Sequence, residues 1–392
     1  MPQRARPKQS AIAASAVALS RSYGMKPFMN RAGKNVFLVV TIVAMPDPRT
    51  FREPAPGTSR VTIRDVARAA KVSVSTVSHA LNDTGTLSRD TRERVAATAA
   101  ELGYQAHPMA RGLRGGHSGV IGLSIRALDD TGTYRADGAH HFERIAGAAA
   151  VAALESAFGL MLIPYPAGPS LERVALWADG YIIEDPVSSD PLVTHLQNAN
   201  IPLVTVGWDP SRKSKTAWVS TDGRRHTTEV LELLRGRGAR QVTFISGTER
   251  NSWNMQSEAA YRAWARDHGV KPQLIRLPAA SGSAGGQSAV ATLLKNSRTP
   301  DAFYCQTGRH AAGAARALLD AGLEVPRDVL IVAGSDAEEC RTSPTPITAL
   351  DLRPEHLGRE AVELLVSIVE SRQVKRQRLI EPLLHLRAST ER

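Results

Sequence analysis

Cysteine is almost absent from this chain of 392 residues, in which Cys305 and Cys340 are the only two. So few cysteines exclude a disulfide-stapled scaffold, and the two lie at no close metal-ligand spacing. We therefore predict no metal site and no cofactor, and we expect a reducing, cytoplasmic setting.

The first sixty residues contain almost no acidic side chains and no apolar run long enough to span a membrane. The run at 36–45 is too short, since a spanning helix needs about twenty residues. A basic start before a short apolar run resembles a secretory signal, but no convincing small-residue cleavage site follows. We predict that residues 1–59 are a disordered or spuriously translated extension, with Met45 as an alternative start. A basic arm that contacts DNA is the other interpretation.

Motifs of the common enzyme classes are also missing. There is no nucleophile elbow, HExxH motif or kinase set. The glycine-rich segment 281–286 lacks the GxxxxGK pattern, so we predict a flexible loop there. Asp336, Glu338 and Glu339 could supply paired carboxylates, but neighbours on one loop rarely face each other across a substrate. We predict that the chain is not an enzyme.

Positive charge is in excess. Lys and Arg number 49 against 38 Asp and Glu, which gives a formal net charge of +11. This balance favours a polyanionic partner but does not by itself separate DNA from a membrane surface. A hydrophobic content of 42% supports a sizeable core, and the length predicts several lobes.

Residues 61–81 have the pattern of two short helices joined by a tight turn. Apolar side chains recur with the helical period, which predicts a buried face; they are Ile63, Val66, Ala67, Ala70, Val77 and Leu81. Thr62 with Asp65 can cap the first helix, and Ser73 can cap the second. Four side chains of the second helix are predicted to face outward, namely Val74, Ser75, Ser78 and His79. This layout is typical of a helix-turn-helix that enters a DNA major groove, although a three-helix bundle without a ligand has the same pattern.

A third helix is predicted from a cap at Ser88 to Leu102, with Gly103 as its stop signal. Its inner face carries Val95, Ala99 and Leu102, and its outer face carries Arg89, Arg92 and Arg94. The next segment, 108–114, can form a short helix that begins at Pro108. Glycines at 112, 115 and 116 make that helix unstable alone, so we expect it to order only when DNA and a second subunit supply contacts.

Residues 61–116 resemble the headpiece of the lactose/galactose-repressor family of bacterial transcription regulators. The matching motifs are T-x-x-D-V-A at 62–67, V-S-x-S-T-V-S-x-x-L-N at 72–82, E-L-G-Y at 101–104 and P-M-A-R-G-L-R at 108–114. The family's usual arginine late in the recognition helix is His79 here. Because imidazole offers one donor or acceptor per ring nitrogen, a bidentate guanine contact is not expected from it.

The resemblance implies specific DNA-binding roles. Val74, Ser75 and His79 would face major-groove bases, and Leu113 would be the wedge inserted at the operator centre. The residues implied to bind phosphate, cap helices or lie in the minor groove are Thr62, Ser73, Thr76, Ser78, Asn82, Ala110, Arg111 and Arg114. The alternatives are a packing role for Leu113 and a solvated face for Arg111 and Arg114.

From residue 119 onward, short apolar strands alternate with helices. Strands are predicted at 119–125, 160–163, 180–183, 203–206, 242–245, 273–277, 302–305 and 329–333. Helices are predicted at 142–158, 171–177, 191–198, 224–235, 257–267, 287–295, 311–321 and 355–370. Such alternation predicts parallel sheets in two lobes of about equal size, with the cleft between them as the expected pocket.

The family resemblance extends over this region through segments such as I-P-L-V-T-V-G at 201–207 and A-G-S-D at 333–336. It implies a small all-α helix-turn-helix headpiece plus an α/β two-lobed domain like a type I periplasmic binding protein. The implied parts are an extension at 1–59, a headpiece at 60–104, a hinge at 105–118 and an effector-binding domain at 119–392. The first lobe would span about 119–218 and 350–375, and the second about 222–346 and 382–392. The crossings would fall near 218–224, 347–353 and 375–382.

The sequence departs from the family where effectors bind. Thr307-Gly308 stands where sugar-binding members have Asn-Asp, and Ser257 stands where an arginine is usual. The candidates for effector binding are Trp208, Trp253, Asn254, Gln306, Arg309, His310 and Asp336. Trp253 with Asn254 could stack on and hydrogen-bond a ring. The tryptophans could equally be packing residues, Asp336 a cap, and Arg309 with His310 an exposed helix start.

We therefore predict a homodimeric regulator that binds near-palindromic double-stranded DNA. Repression is the commoner outcome in the family, so we predict a repressor. We expect it in the cytoplasm, associated with the nucleoid. A small-molecule effector between the lobes would shift their arrangement and change hinge ordering. The alternatives are a sugar-binding or sugar-processing protein with an accessory DNA-binding module, and a regulator without an effector.

Overall fold

A computed structural model of the chain describes residues 28–29, 35–36, 61–81, 85–104, 118–125, 140–165, 178–212, 216–296 and 299–392. Predictions for Asn82, the hinge residues Ala110, Arg111, Leu113 and Arg114, the helix at 171–177 and most of the extension lie outside these residues. Within the extension, strands β1 (Phe28–Met29) and β2 (Asn35–Val36) form an antiparallel pair. Among the described residues, no helix has both the length and the apolarity needed to cross a membrane.

The headpiece consists of helices α1 (Ile63–Ala69), α2 (Val74–Leu81) and α3 (Arg89–Glu101). The predicted caps form: the Asp65 carboxylate accepts from the Thr62 backbone N–H at 2.9 Å, and Ser73 Oγ accepts from the Thr76 N–H at 3.0 Å. The shared core contains Val66, Ala67, Ala70, Val77, Val95 and Ala99. The prediction that Leu102 lies on the inner face is wrong. Leu102 is the C-cap of α3 and is 37% exposed, because it lies beyond Ala99, the last residue of this helix in the shared core.

The first lobe is built on a parallel sheet of six strands. They are β3 (Val120–Ile125), β4 (Gly159–Pro164), β5 (Gly180–Glu184), β6 (Leu203–Val206), β7 (Ala217–Ser220) and β13 (Gln377–Leu379), in the order β13-β7-β6-β5-β3-β4. Helices α4 (His140–Glu155) and α11 (Pro354–Val369) cover one face, and α5 (Pro191–Asn198) covers the other. Strand β5 is buried along its whole length, as its continuous apolar run predicts.

The second lobe repeats the plan with β8 (Val242–Gly247), β9 (Gln273–Leu277), β10 (Ala302–Cys305), β11 (Leu330–Ala333), β12 (Thr348–Asp351) and β14 (Leu383–His385). Their order is β14-β12-β11-β10-β8-β9. The helices are α6 (Gly223–Gly236), α7 (Ser252–Asp267), α8 (Gly282–Asn296), α9 (Gly308–Asp320) and α10 (Glu338–Thr342). The predicted parallel pairing is confirmed for the other strands of this sheet, and β14, for which no strand was predicted, runs antiparallel to β12 at one edge.

The chain passes between the two sheets after β7, after β12 and between β13 and β14. Strand β12, at Thr348–Asp351, pairs in the second sheet. The sequence had predicted that residues from about 350 onward belong to the first lobe. Strand β13, at Gln377–Leu379, lies in the first sheet beyond the predicted limit at 375. The three crossings carry the chain over the cleft between the lobes.

The glycine-rich segment 281–286 is not a flexible loop, which corrects that prediction. Helix α8 begins at Gly282, and its first turns lie directly against α9. A Cβ at Gly286 would be 2.4 Å from the backbone oxygen of His310, and one at Gly313 would be 2.0 Å from that of Ser283. These glycines are required because the two helix backbones touch.

This contact gives a stability prediction. Gly313→Ala should lower the free energy of unfolding by about 1–3 kcal/mol, the usual penalty of overpacking. Gly236→Ala is the matched control, since a Cβ at that helical position meets nothing within 4 Å. It should stabilise by up to about 1 kcal/mol through helix propensity. Urea titrations of both variants check this, and equal effects would contradict the close helix contact.

Candidate DNA-reading helix and interlobe cavity

Helix α2 presents a row of small and polar side chains to solvent. Val74 is 39% exposed, and Ser75 and His79 are also exposed. The Ser73 hydroxyl lies 2.7 Å from that of Ser75 and 2.8 Å from that of Thr76. Short side chains let the helix backbone approach another surface closely, and hydroxyls can bind base edges or phosphates.

Ser78 corrects the predicted outward face. Its side chain is buried, at 8% exposure, beside Val77. The buried stripe of α2 is therefore wider than Val77 and Leu81 alone, and a small hydroxyl is tolerated within it. Ser78 is not available on the outer face of α2.

The His79 ring is packed against the loop that follows α2. A Cβ at Gly85, where φ is +71°, would lie 2.9 Å from His79 Nδ1. Arg92 donates from Nη2 to the Gly85 carbonyl at 2.8 Å and so holds this loop. Arg92, predicted on a basic outer surface, is thus partly buried and structural. The exposed Arg89 pairs with Glu93 at 2.8 Å.

A cavity of about 200 Å³ lies between the two lobes. The first lobe lines it with the start of α4 and the residues that follow β5, β6 and β7. The second lobe lines it with the starts of α7, α9 and α10. The polar and aromatic lining side chains are His141, Phe142, Glu184, Asp185, Ser220, Thr221, Glu249, Asn251, Ser252, Trp253, Asn254, Thr307, Arg309, Ser335, Asp336 and Glu339. This is the carboxyl edge of the strands, where open α/β sheets bind ligands.

Direct contacts join the two walls of the cleft. Val187 and Asn251 form an antiparallel β-bridge, and the Ser188 N–H donates to the Arg250 carbonyl at 2.9 Å. The Trp208 N–H donates to Ser252 Oγ at 3.2 Å. These backbone contacts bring the loop after β5 onto the start of α7, so a change in the spacing of the lobes must break or rearrange them.

Four of the seven predicted effector residues line the cavity: Trp253, Asn254, Arg309 and Asp336. The Asn254 side chain donates to the Glu249 carbonyl at 2.9 Å. The Asp336 carboxylate pairs with Arg387, through two contacts of 2.9 Å, and with Arg341 at 2.8 Å. Its charge is therefore already neutralised within the second lobe.

The other three are packed away from the cavity. The Trp208 ring packs against that of Trp218, with centroids 4.8 Å apart and the two planes tilted by 43°. Gln306 donates to Ser257 Oγ at 3.0 Å and is fully buried. The His310 ring lies 3.1 Å from Ser281 Oγ, and burial lowers the pKa of His310 to about 4, which keeps it neutral.

Several lining residues were missed by the sequence reasoning. Glu184 and Asp185 directly follow the strand predicted at 180–183, so the rule that ligands bind beyond strand ends could have found them. Glu249 follows β8 in the same way. His141 lines the cavity from α4, and burial lowers its pKa to about 4. Glu339, the second residue of α10, was considered from the sequence only as one of the possible paired carboxylates.

Comparison with known proteins agrees with both parts of this description. The family model described as bacterial regulatory proteins, lacI family, matches residues 62–107, and that of a periplasmic binding protein-like domain matches 231–390. The chain therefore carries the DNA-binding domain of the lacI family, followed by a periplasmic binding protein-like domain. It is a DNA-binding transcriptional regulator with the two-lobed fold of that family.

Two related repressors align with most of this chain and with nearly all of their own length. The transcriptional repressor PurR of Erwinia tasmaniensis is 27% identical over 329 residues, which are 81% of this chain and 92% of that protein. PurR of Klebsiella pneumoniae is 26% identical over 84% of this chain and 96% of its own length.

Solved structures show the same fold. The lac repressor dimer bound to operator and the anti-inducer ONPF has a TM-score of 0.69 at 22% identity, over 85% of this chain and 99% of that one. The regulator CelR in complex with cellobiose has a TM-score of 0.62 at 23% identity, over 84% of this chain and all of that one.

Proposed function

We propose that this protein is a repressor that binds a near-palindromic operator as a homodimer. Its affinity for the operator changes when a small molecule binds. The observation that carries the proposal is the combination of an exposed, hydroxyl-rich α2 with a cavity walled by both lobes. The PurR relatives are repressors, and the lac repressor was solved as an operator-bound dimer. The setting we propose is the cytoplasm, where operator DNA is accessible.

Within the headpiece, Val74, Ser75 and His79 are assigned to bases, and Thr62, Ser73 and Thr76 to phosphates. Their exposure or position at helix starts supports this, since helix N-termini and hydroxyls bind phosphate well. Ser78 is not included because it is buried. Roles for Asn82, Ala110, Arg111, Leu113 and Arg114 remain predictions from the family resemblance.

The assignment of His79 gives a prediction about base preference. His79→Ala should relax specificity at one position in each half-site, with a loss of about 1–3 kcal/mol of discrimination there. Removal of the ring leaves the caps and core of α2 intact. Binding profiles over a randomised operator library check this, and an unchanged profile would place His79 outside the base interface.

Regulation follows from the walls of the cavity. A ligand that contacts both lobes favours one spacing between them. The backbone contacts of 187–188 with 250–251 link that spacing to the loop after β5 and to the start of α7. The ligand can shift the equilibrium only by its difference in affinity for the two arrangements. We propose that the domain boundaries follow the sheets, with the first lobe at 118–220 and 354–380.

An enzymatic role is not part of the proposal, because Asp336, one of the candidate paired carboxylates, is held by two arginines. Genome-wide mapping of binding sites, with transcript levels measured in the presence and absence of the protein, tests the function. Transcripts next to bound palindromes should rise when the protein is removed. Unchanged or lower transcripts would contradict repression, and turnover of a glycoside by pure protein would favour an enzyme.

A further inference from the structure

The strands of the first lobe all begin at one edge of their sheet, because every pair of neighbours in it runs parallel. Backbone hydrogen bonds follow this starting edge. The Asp179 N–H donates to the Val120 carbonyl, and the Trp218 N–H donates to the Arg376 carbonyl, both at 2.8 Å. The opposite edge, at the carboxyl ends of the strands, faces the cleft. The starting edge therefore lies on the side of the first lobe that points away from the second lobe.

The headpiece is connected to this same edge. The described chain resumes at Ser118, directly before β3, where the Asp179 carboxylate accepts from the Ser118 N–H and, at 2.7 Å, from the Gly119 N–H. The last described residue of the headpiece is Tyr104, so residues 105–117 form the connection. A connection of this length spans at most roughly 50 Å. It keeps the headpiece, and any DNA that the headpiece binds, within reach of the starting edge.

A basic loop lies at the starting edge, between α11 and β13. Its sequence at 371–376 is S-R-Q-V-K-R. Lys375 and Arg376 are both exposed, and no carboxylate of the described chain is paired with either of them. Arg372 differs, since it pairs with Glu370 at 2.6 Å. The loop therefore presents two positive charges that the first lobe does not neutralise.

The position of these charges is fixed because the loop is anchored along its length. The Arg372 N–H donates to the Ser367 carbonyl at 2.8 Å, which closes the end of α11. Val374 packs against the core of the first lobe, and the Arg376 carbonyl is bonded to β7. A segment that is already ordered loses little conformational entropy when it binds a partner.

DNA phosphate is the partner that these charges fit. Cations that stabilise a helix C-terminus act within its last turn, whereas Lys375 lies five residues beyond Glu370, the C-cap of α11. Lysine and arginine neutralise phosphates whatever the base sequence. The headpiece occupies the half-sites that it reads, so the phosphates open to the lobe are those beyond them.

We propose that Lys375 and Arg376 form an auxiliary phosphate-binding surface on the first lobe, which contacts the DNA that flanks the operator. This rests on the proposed function, in which the headpieces of a homodimer hold the operator. The surface then occurs twice, so four cations act on the two flanks. It adds affinity and lengthens the bound site, but it does not read bases.

Salt titrations with two duplexes test the proposal. Both carry the palindrome selected from a randomised library. The short duplex ends at the palindrome, and the long one adds about 15 base pairs of arbitrary sequence, or one and a half helical turns, on each side. The natural protein should bind the long duplex at least about tenfold more tightly at low salt. The slope of log Kobs against log salt should be steeper by about 3–4, since each neutralised phosphate contributes about 0.9. Fluorescence anisotropy measures both.

A double variant and a matched control identify the source of this gain. Lys375→Gln with Arg376→Gln should abolish the gain from the flanks but leave affinity for the short duplex within about twofold, as for other surface substitutions. The control, Arg240→Gln with Lys271→Gln, removes two exposed cations that precede β8 and β9. Those strands begin on the side of the second lobe that points away from the cleft, so the control should keep the full gain.

The outcomes separate this proposal from the proposed function. A preference for the short palindrome over random duplex, with no gain from the flanks or with a gain that the double variant retains, would overturn the auxiliary surface and leave operator recognition standing. An equal loss in the control would also overturn it, because net charge would then be the cause. No preference for the palindrome would contradict the proposed function itself. Weak binding of the short duplex by a double variant with a normal melting curve would place the two residues at the operator and overturn the flanking role.

Discussion

Ser75→Glu is expected to reduce affinity for the operator by about a hundredfold, because a like-charge contact across an interface costs several kcal/mol. The glutamate would stand on the exposed side of α2, beside the hydroxyls of Ser73 and Thr76. It would replace a hydroxyl that can bind DNA with a carboxylate facing phosphates and base acceptors. Fluorescence anisotropy with a labelled operator at fixed, moderate salt measures the change.

A control with the same charge is available in the headpiece. Ala97 is exposed on α3, one turn from both Glu93 and Glu101, on a face that already carries acid. Ala97→Glu should therefore leave operator affinity within about threefold, as surface substitutions away from an interface usually do. If Ala97→Glu weakens binding as much as Ser75→Glu, charge repulsion at α2 is not the cause, and α2 is not the reading helix.

Asp336→Asn should produce the largest loss of stability, about 3 kcal/mol in the free energy of unfolding, since it strips a buried arginine of its partner. Asp336 and Arg387 are 7% and 16% exposed and joined by two hydrogen bonds of 2.9 Å. Arg387 also donates to the Ile347 carbonyl, so the pair joins the end of β11 to the final segment of the chain. Urea denaturation monitored by circular dichroism measures the effect.

The control is Arg341→Met, on the other side of the same carboxylate. Arg341 is 49% exposed, so the loss should stay within about 1 kcal/mol, as for other exposed ion pairs. Equal losses for Asp336→Asn and Arg341→Met would contradict the central role of the buried Asp336–Arg387 pair.

The same pair has a defined pH dependence. Burial raises the pKa of Asp336, but the hydrogen bond and charge of Arg387, with the charge of Arg341, outweigh it and hold the pKa below the ordinary 3.8. A lowered pKa in the folded state stabilises the protein above pH 3.8, and this contribution is lost as the pH falls further. The stability difference between the natural protein and Asp336→Asn should therefore shrink below pH 3.8.

Local patterns predicted the headpiece and most lobe elements well. Ser73, Ser88 and Thr62 mark helix starts by hydrogen bonds within three residues, so sequence alone reveals them. Helix α7 begins five residues before its predicted start because Asn251 caps it, and its first turn is polar since it faces the cleft. The apolar period therefore marks only the part of that helix that packs on the sheet.

Long-range packing explains the remaining errors. The glycines at 282–286 looked like a flexible loop, but they allow two helices to touch, which depends on α9 almost thirty residues later. Trp208 was predicted as a ligand-binding residue because an aromatic ring can stack on a ligand. Its ring instead packs against that of Trp218, in strand β7. Arg309 Nε and Glu339 Oε1 lie 3.7 Å apart, which likewise depends on how α9 and α10 meet. No local pattern contains that information.

Selection of duplexes from a randomised library by the full-length protein, at moderate salt, tests sequence-specific DNA recognition most directly. We expect enrichment of one palindromic sequence, bound at least about a thousandfold more tightly than random duplex. Equal affinity for the enriched and random pools, with a steep dependence on salt alone, would contradict sequence-specific reading by α2.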